Sequence, residues 1–73
     1  AKEAELLAAA QEFLLENNIT SASLVIRPNG ETASYRLNQT MLFIFEYEAD
    51  ETGAVKYTDI YIDANGRILG FNF

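Results

Sequence analysis

The stretch from residue 41 to residue 62, MLFIFEYEADETGAVKYTDIYI, contains two runs rich in aromatic and β-branched residues. Such runs are typical of strands, and the acidic, glycine-containing segment between them is typical of a hairpin loop. We expect a three-residue loop over residues 51–53, with Gly53 in the left-handed conformation of a bulge. This loop pairs Ile44 with Ile60. The sequence therefore predicts that two antiparallel strands form the centre of the fold.

A second hairpin is predicted at the C-terminus, where Asn65 and Gly66 lie between two alternating runs. Asn-Gly is a strong hairpin signal, because a type I′ turn requires positive φ angles at both central residues. The turn gives the pairs Ile62 with Leu69, Ile60 with Phe71, and Thr58 with Phe73. On the other face of the sheet Tyr61 lies opposite Gly70, where its ring can cover the bare backbone.

Two further turns extend the sheet towards the N-terminus. Residues 28–31, PNGE, contain another Asn-Gly pair and predict a two-residue turn. This turn gives the pairs Ile26 with Ala33, Leu24 with Tyr35, and Ala22 with Leu37. A two-residue turn at Asn38 and Gln39 joins the second strand to the third and pairs Tyr35 with Leu42. Every pair matches two apolar side chains, so the predicted registers agree with one another.

The first 17 residues predict a helix, because they are rich in Ala, Leu, Glu and Gln and contain no Gly or Pro. At about 100° per residue, one face of this helix is apolar and the opposite face carries glutamates. The apolar face consists of Leu6, Leu7, Ala10, Phe13 and Leu14. Asn17 and Asn18 are expected to end the helix, since Asn tolerates the left-handed cap conformation. Leu15 lies beside the apolar face, either partly exposed or in contact with a partner.

These elements define a single domain over residues 1–73, with a helix at 1–17 and an antiparallel sheet at 20–73. The fold class is α+β, with one N-terminal helix packed on a curved four- to five-stranded antiparallel meander sheet. A helix about 10 Å wide covers five strands spaced about 4.8 Å apart only if the sheet wraps around it. The inner face of the sheet is predicted to consist of Leu24, Ile26, Tyr35, Leu37, Leu42, Ile44, Ile60, Ile62, Leu69 and Phe71.

The opposite, outer face of the predicted sheet carries large apolar side chains on its third and fourth strands. We predict an interaction surface there that consists of Met41, Phe43, Phe45, Tyr47, Tyr57 and Tyr61. A shift of one residue exchanges the two faces but leaves both of them apolar, because residues 41–45 are apolar throughout. Three explanations are open: a sheet that curls over itself, burial against a second copy of the chain, or binding of another protein or an apolar ligand.

Composition narrows the range of functions. Seventy-three residues, 49% of them hydrophobic, suffice for one small domain. The absence of Cys and His excludes disulfides, thiolate chemistry, Cys- or His-based metal sites and imidazole catalysis. We therefore predict no catalytic, cofactor or metal site and a protein that is not an enzyme. The net charge of −6 argues against nucleic acid, and the apolar stretches are too short to span a membrane.

Residues 61–69, YIDANGRIL, which follow a helix and antiparallel strands, resemble the end of PepSY-type domains. Those domains finish with an extended run into Asp-x-x-Gly and an aliphatic residue. The resemblance covers about the last third of the chain and implies a secreted or envelope regulatory module, often associated with peptidases. A sheet wrapped around one helix is also similar to the cystatin-like architecture. The Gln-x-Val-x-Gly loop of cystatins is absent, so protease inhibition is not carried over.

The whole chain looks like a de novo designed protein. An Ala/Leu/Glu helix, two Asn-Gly turns and matched hairpin registers agree with one another, and Cys, His and Trp are absent. Agreement across levels of structure is a design criterion. The apolar outer face suits a designed binder or homo-oligomer. We therefore expect a non-enzymatic scaffold or protein-binding module whose partner is a second copy or another protein. The alternative is a natural PepSY- or cystatin-like secreted regulatory or inhibitory module.

Overall fold

The structure, a computed structural model, describes residues 2–48 and 52–72. One helix precedes five strands, which form a single antiparallel sheet that is open and curved. The elements are α1 (Lys2–Glu16), β1 (Ser23–Leu24), β2 (Ser34–Leu37), β3 (Thr40–Glu48), β4 (Val55–Asp63) and β5 (Ile68–Asn72). The predicted α+β class is confirmed. Strands β2 to β5 follow one another as a meander, whereas β1 pairs with β3 instead of β2.

The helix α1 ends where Asn18 adopts a left-handed conformation, with φ of 66°. The backbone N–H of Ile19 donates to the Leu14 carbonyl at 2.9 Å. The N–H of Asn18 donates to the Leu15 carbonyl at 3.0 Å. These two bonds form a Schellman motif, which satisfies carbonyls of the last helical turn. The predicted stop at Asn17 and Asn18 is therefore confirmed.

Strands β1 and β2 lie one after the other along the same edge of β3, so the predicted hairpin between them is wrong. The observed pairs are Ser23 with Glu46 and Leu24 with Phe45 for β1, and Ser34 with Phe43, Tyr35 with Leu42, Arg36 with Met41 and Leu37 with Thr40 for β2. Residues 25–33 join the two strands. Val25 and Ala33 are hydrogen-bonded to Ile44 of β3, and the residues between them leave the sheet and return to it. We refer to this segment as the excursion.

The excursion closes on itself through a three-residue turn over residues 28–30. The Arg27 N–H donates to the Glu31 carbonyl at 2.8 Å. Gly30 has φ of 84°, whereas Asn29 is not among the residues with positive φ. A type I′ turn requires positive φ at both positions, so it does not form. Ile26 consequently pairs with Thr32 and not with the predicted alanine.

The turn at Asn38 and Gln39 has the predicted two-residue form. The φ angles of these residues are 49° and 64°, and a type I′ turn requires positive values at both positions. The predicted pair of Tyr35 with Leu42 is confirmed. This turn fixes how β2 is aligned along β3, and therefore which side chains of the two strands share a face.

Strands β3 and β4 pair with a register that differs by one residue from the predicted register. Ile44 lies opposite Asp59, and Phe43 lies opposite Ile60. Because successive side chains of a strand point to opposite faces, a shift of one residue turns the other face of β3 towards the helix. The prediction that Ile44 pairs with Ile60 is therefore wrong, and so is the predicted orientation of β3.

The connection between β3 and β4 is described only in part. Strand β3 is described up to Glu48 and β4 begins at Val55, whereas residues 49–51 lie outside the described residues. Gly53 has the predicted left-handed conformation, with φ of 78°. Residue 51, the first of the predicted loop, lies outside the described residues. The conformation of Gly53 was therefore predictable from the sequence.

The C-terminal hairpin is confirmed over most of its length. The observed pairs are Asp59 with Asn72, Ile60 with Phe71, Tyr61 with Gly70 and Ile62 with Ile68. The last pair differs from the prediction, which placed Leu69 opposite Ile62, because a bulge next to Tyr61 shifts the register. The predicted partner of Thr58, Phe73, lies outside the described residues.

The predicted two-residue turn at Asn65 and Gly66 is wrong, since only Gly66 of the two has positive φ. A three-residue turn over residues 64–66 forms instead and accounts for the bulge. The Asp63 N–H donates to the Arg67 carbonyl at 2.9 Å, and Gly66 has φ of 86°. The Asp63 carboxylate oxygen Oδ1 accepts the backbone N–H groups of Asn65 and Arg67, both at 2.9 Å. The side chain of Asp63 therefore stabilises the turn, in the way that Asx turns do.

The core lies between α1 and the strands β3 and β4. Its buried members are Leu6, Ala10, Leu14, Met41, Phe43, Phe45, Ile60 and Ile62. Phe13 packs on Phe71 of β5, with ring centroids 5.1 Å apart. The helix face predicted from the sequence is therefore the one that packs on the sheet.

The predicted inner face of the sheet is correct for β4 and wrong for β2 and β3. Ile60 and Ile62 are buried as predicted. On β2, Ser34 faces the helix, because its hydroxyl donates to the Glu3 carboxylate at 3.2 Å. Four residues that were predicted to face the helix lie on the opposite side of the sheet, namely Tyr35, Leu37, Leu42 and Ile44. Ile26 and Leu69, also predicted to face the helix, are exposed.

Candidate functional site

Three of the six residues predicted to form the interaction surface belong to the core. Met41, Phe43 and Phe45 have exposed fractions of 6%, 1% and 0%. The shift of one residue between β3 and β4 places them under the helix, where large side chains fill the space above the curved sheet. The prediction that they face outwards is therefore wrong.

The other three predicted residues do not share one face. Tyr57 and Tyr61 lie on the outer side of β4 and are exposed, as predicted. Tyr47 is half-buried and alternates with Phe45, so it lies on the helix side of β3. The six predicted residues are consequently divided between the two sides of the sheet.

The outer side of the sheet is nevertheless rich in apolar side chains, most of which the sequence placed on the inner face. We call this surface the outer apolar face. It consists of Tyr35, Leu37, Leu42, Ile44, Tyr57 and Tyr61. Leu37, Tyr57, Tyr35 and Tyr61 are 73%, 57%, 43% and 41% exposed. The helix packs on the opposite side of the sheet and does not cover them.

A groove of about 340 Å³ lies at one end of the outer apolar face. Its lining consists of Tyr35, Leu37, Asn38, Thr40, Leu42 and Tyr61. Leu42 forms its floor between two tyrosines, because it pairs with Tyr35 on one side and with Tyr61 on the other. The turn after β2 closes one end of the groove. Its volume is at the lower end of the range of ligand pockets, about 300 to 1,000 Å³.

Two contacts hold the tyrosines of the groove in place. The Arg27 guanidinium lies over the Tyr35 ring, with its carbon 4.5 Å from the ring centroid. This is a cation–π contact. A Cβ atom built on Gly70 would lie 3.8 Å from Tyr61 Cδ2, so the Tyr61 ring covers the bare backbone as predicted. The walls of the groove are therefore supported by neighbours that lie outside it.

Charged residues on the outer side of β3 and β4 are all acidic. Glu46 and Glu48 alternate with Ile44, and Asp59 and Asp63 alternate with Tyr61. The basic residues of the strands lie on the other side, because Arg36 pairs with Met41 and Lys56 pairs with Tyr47. The end of the outer side away from the groove carries Glu46 and Glu48, and we call it the acidic part, although Tyr57 and Val55 lie opposite these two carboxylates. Asp63 lies opposite Thr40, at the groove.

Within residues 2–48 and 52–72, no three His, Cys, Asp or Glu side chains lie in a group that could hold a metal ion. No helix in the same part of the chain is long and apolar enough to cross a bilayer. The groove offers apolar contacts, tyrosine hydroxyls and an asparagine side chain, which are groups that bind a partner by burial and hydrogen bonding.

Comparisons with protein families, with curated proteins and with solved structures found no match to this chain.

Proposed function

We propose that this chain is a non-enzymatic module that binds another protein through the outer apolar face. A single observation carries the proposal: six large apolar residues lie together on the side of the sheet that the helix does not cover, and four of them are substantially exposed. Apolar patches of this kind mark interaction sites, and tyrosines are enriched in the cores of protein interfaces.

The structure bears on one of the three explanations for an apolar outer face. The sheet does not curl over itself, since Leu37 at 73% and Tyr57 at 57% remain accessible to solvent. Burial of a fully exposed leucine contributes about 1.5 to 3 kcal/mol, so even one such contact strengthens binding noticeably. Burial of this face by a partner therefore contributes favourably to the free energy of binding.

The proposal does not depend on the origin of the chain. The designed origin and the alternative, a natural PepSY- or cystatin-like module, are both predictions. In a designed scaffold the outer apolar face is an engineered contact surface, and in a natural module it is an evolved one. Both cases require the same contacts with a partner, so the same experiment tests both.

The experiment that tests the proposal is a selection from a displayed library of random peptides. The chain is immobilised through its N-terminus, and the peptides it selects are synthesised and titrated into the ¹⁵N-labelled protein. We expect amide chemical-shift changes to concentrate at β2, β3 and β4 near Leu42. Changes concentrated on the exposed side of α1 would contradict the proposal.

A matched pair of variants distinguishes binding at this face from non-specific binding to exposed leucines. Leu37→Ser removes an apolar side chain from the groove, and Leu15→Ser makes the same change on the helix, where the leucine is 56% exposed. We expect the first variant to weaken peptide binding at least roughly fivefold, about 1 kcal/mol, and the second to leave it within twofold. Equal loss in both variants would refute the proposal.

A further inference from the structure

We infer that the outer apolar face takes a basic amphipathic segment of another protein, with an apolar anchor in the groove and Lys or Arg side chains along the acidic part. This inference rests on the binding function proposed above and names the chemical class of the partner. It follows from how charges are distributed between the two sides of the sheet.

The charged residues that β3 and β4 present on the outer side are all acidic. The alternation of β3 and β4 places Glu46, Glu48, Asp59 and Asp63 on the same side as the groove. Glu46 and Glu48 are exposed, and Asp59 is half-buried. A partner that covers the groove and extends along β3 must therefore accommodate at least two exposed carboxylates.

The chain supplies little positive charge of its own to this side. Arg36 and Lys56 point to the helix side of the sheet, and Lys2 belongs to the helix. Arg27 brings one positive charge to this side, at the groove, where its guanidinium carbon lies 4.5 Å from the Tyr35 ring centroid. Arg67 lies across from Asp63 at the turn after β4. Most of the charge that complements Glu46 and Glu48 must therefore come from the partner, and complementarity of this kind selects partners and accelerates their association.

The same distribution disfavours a second copy of the chain as the occupant. A symmetric dimer brings the same surface of both molecules together. Two outer faces then bring their carboxylates together with too few cations to match them, in a chain whose net charge is already −6. Like charges placed opposite each other destabilise an interface. The face is therefore complementary to a basic partner and not to itself.

The spacing of the site fits a helical segment. Leu42 on the floor of the groove and Glu46 lie four residues apart on β3, which is about 14 Å at about 3.4 Å per residue. The same distance corresponds to about nine residues of an α-helix at 1.5 Å per residue. The same face of a helix recurs after seven residues, about 10 Å along the axis, and the long side chain of a Lys spans the remaining distance. An apolar anchor and a Lys about seven residues away can therefore contact both ends of the site.

The test uses two synthetic peptides of about 18 residues that carry a fluorescent label and have the helical length required above. Both have the same leucines at helical spacing, and one carries Lys where the other carries Glu. We expect the Lys peptide to bind at least roughly tenfold more tightly than the Glu peptide, by fluorescence anisotropy at low salt. We also expect this difference to shrink between about 0.1 M and 1 M salt, where the screening length falls from about 10 Å to 3 Å.

Two double variants of equal net charge test which carboxylates cause the stronger binding of the Lys peptide. Glu46→Gln with Glu48→Gln neutralises two carboxylates on the outer side, and Glu12→Gln with Glu16→Gln neutralises two exposed carboxylates on α1. We expect the first double variant to weaken binding of the Lys peptide by roughly two- to tenfold. The second should change it by less than about twofold, because screening reduces the effect of charges far from the site.

The outcomes separate this inference from the binding function on which it rests. Equal losses in the two double variants, or no binding of the Lys peptide up to about millimolar concentration, overturn the inference. If library peptides without basic residues bind the outer apolar face and the Lys peptide does not, the binding function stands and the basic partner is wrong. If Leu37→Ser leaves binding of the Lys peptide unchanged, the peptide binds elsewhere and the inference is also wrong.

Discussion

Among the described residues, the Thr58 hydroxyl oxygen is a buried polar atom without a hydrogen-bond partner. Its side chain has no exposed surface and lies opposite Phe45, next to the aromatic part of the core. A buried hydroxyl that has lost its hydrogen bonds with water and makes no others lowers the free energy of unfolding by about 1 to 3 kcal/mol. Thr58 therefore lowers the stability of the domain without a visible structural benefit.

We expect Thr58→Val to raise the free energy of unfolding by about 1 kcal/mol, because Val has a similar shape and leaves no polar group unsatisfied. Urea denaturation measures the change. Thr20→Val, at an exposed position, is the control and should change stability by less than about 0.5 kcal/mol. A destabilised Thr58→Val variant would show that the hydroxyl has a partner in solution.

The burial of Phe43 gives a second prediction for a single residue. We expect Phe43→Ala to cost about 3 to 5 kcal/mol, since it removes a side chain that is 1% exposed from the centre of the core. A loss of this size approaches the whole stability of a small domain, so cooperative unfolding should be lost or strongly weakened. Circular dichroism during thermal unfolding measures it.

Tyr57→Ala is the matched control for this prediction. It removes an aromatic ring that is 57% exposed on the outer side of the neighbouring strand. We expect a change within about 1 kcal/mol, because little apolar area is lost from the folded state. A cost of Phe43→Ala as small as that of Tyr57→Ala would mean that β3 presents its other face to the helix, as the sequence first indicated.

At the scale of elements, local signals located the helix end and the turns. Asn18, Gly30, Gly53 and Gly66 all adopt the left-handed conformation that their residue types favour. The register between β3 and β4 was not predictable in the same way. Residues 41–45 are apolar at every position, so alternation does not distinguish the two faces of β3. The larger side chains, two of them phenylalanines, occupy the core.

The turn at Asn38 and Gln39 leads to a prediction for the β2–β3 hairpin. Gln39 has φ of 64°, a conformation that costs a residue with a Cβ atom about 1 kcal/mol and that glycine adopts freely. We expect Gln39→Gly to raise the free energy of unfolding by roughly 0.5 kcal/mol, since the gain exceeds the added entropy of the unfolded chain. Chemical denaturation measures this change.

The reverse change at another turn provides the comparison. Gly66 has φ of 86°, and a Cβ atom at this position would have no neighbour within 4 Å. Gly66→Ala should therefore lower stability by about 1 kcal/mol through backbone strain alone. If both variants shift stability in the same direction, positive φ does not determine the energy of these turns.

At the scale of the whole molecule, the acidic part of the outer side bears on self-association. We expect the chain to remain a monomer of 8.2 kDa by light scattering at low salt, up to high micromolar concentration. Repulsion between the acidic outer faces opposes a dimer, although apolar area is available. A dimer that forms at low salt and weakens in Glu46→Gln would contradict the charge argument, since removal of repulsion should strengthen self-association.

The fold class was predictable from the sequence, whereas the composition of the candidate site was not. The site depends on which face of β3 packs on α1, and that choice is made by contacts between Phe43, Phe45 and the helix. Those contacts join residues that are far apart in the chain, so no local sequence pattern predicts them. Tyr61 was assigned correctly because the C-terminal hairpin, with its Asn-Gly turn, fixed its strand independently.

The excursion between β1 and β2 leaves the sheet and returns to the same edge of β3. Val25 donates to the Ile44 carbonyl at 2.9 Å, and Ile44 donates to the Ala33 carbonyl at 3.2 Å, so both ends are tied to one residue. Its tip is exposed and takes no part in the core. Because doubling a loop costs only about 0.6 kcal/mol, the tip at residues 28–30 can be lengthened or exchanged for foreign sequence while the strands on either side keep their alignment. The chain therefore contains a ready insertion point, at which a second recognition element can be grafted beside the groove.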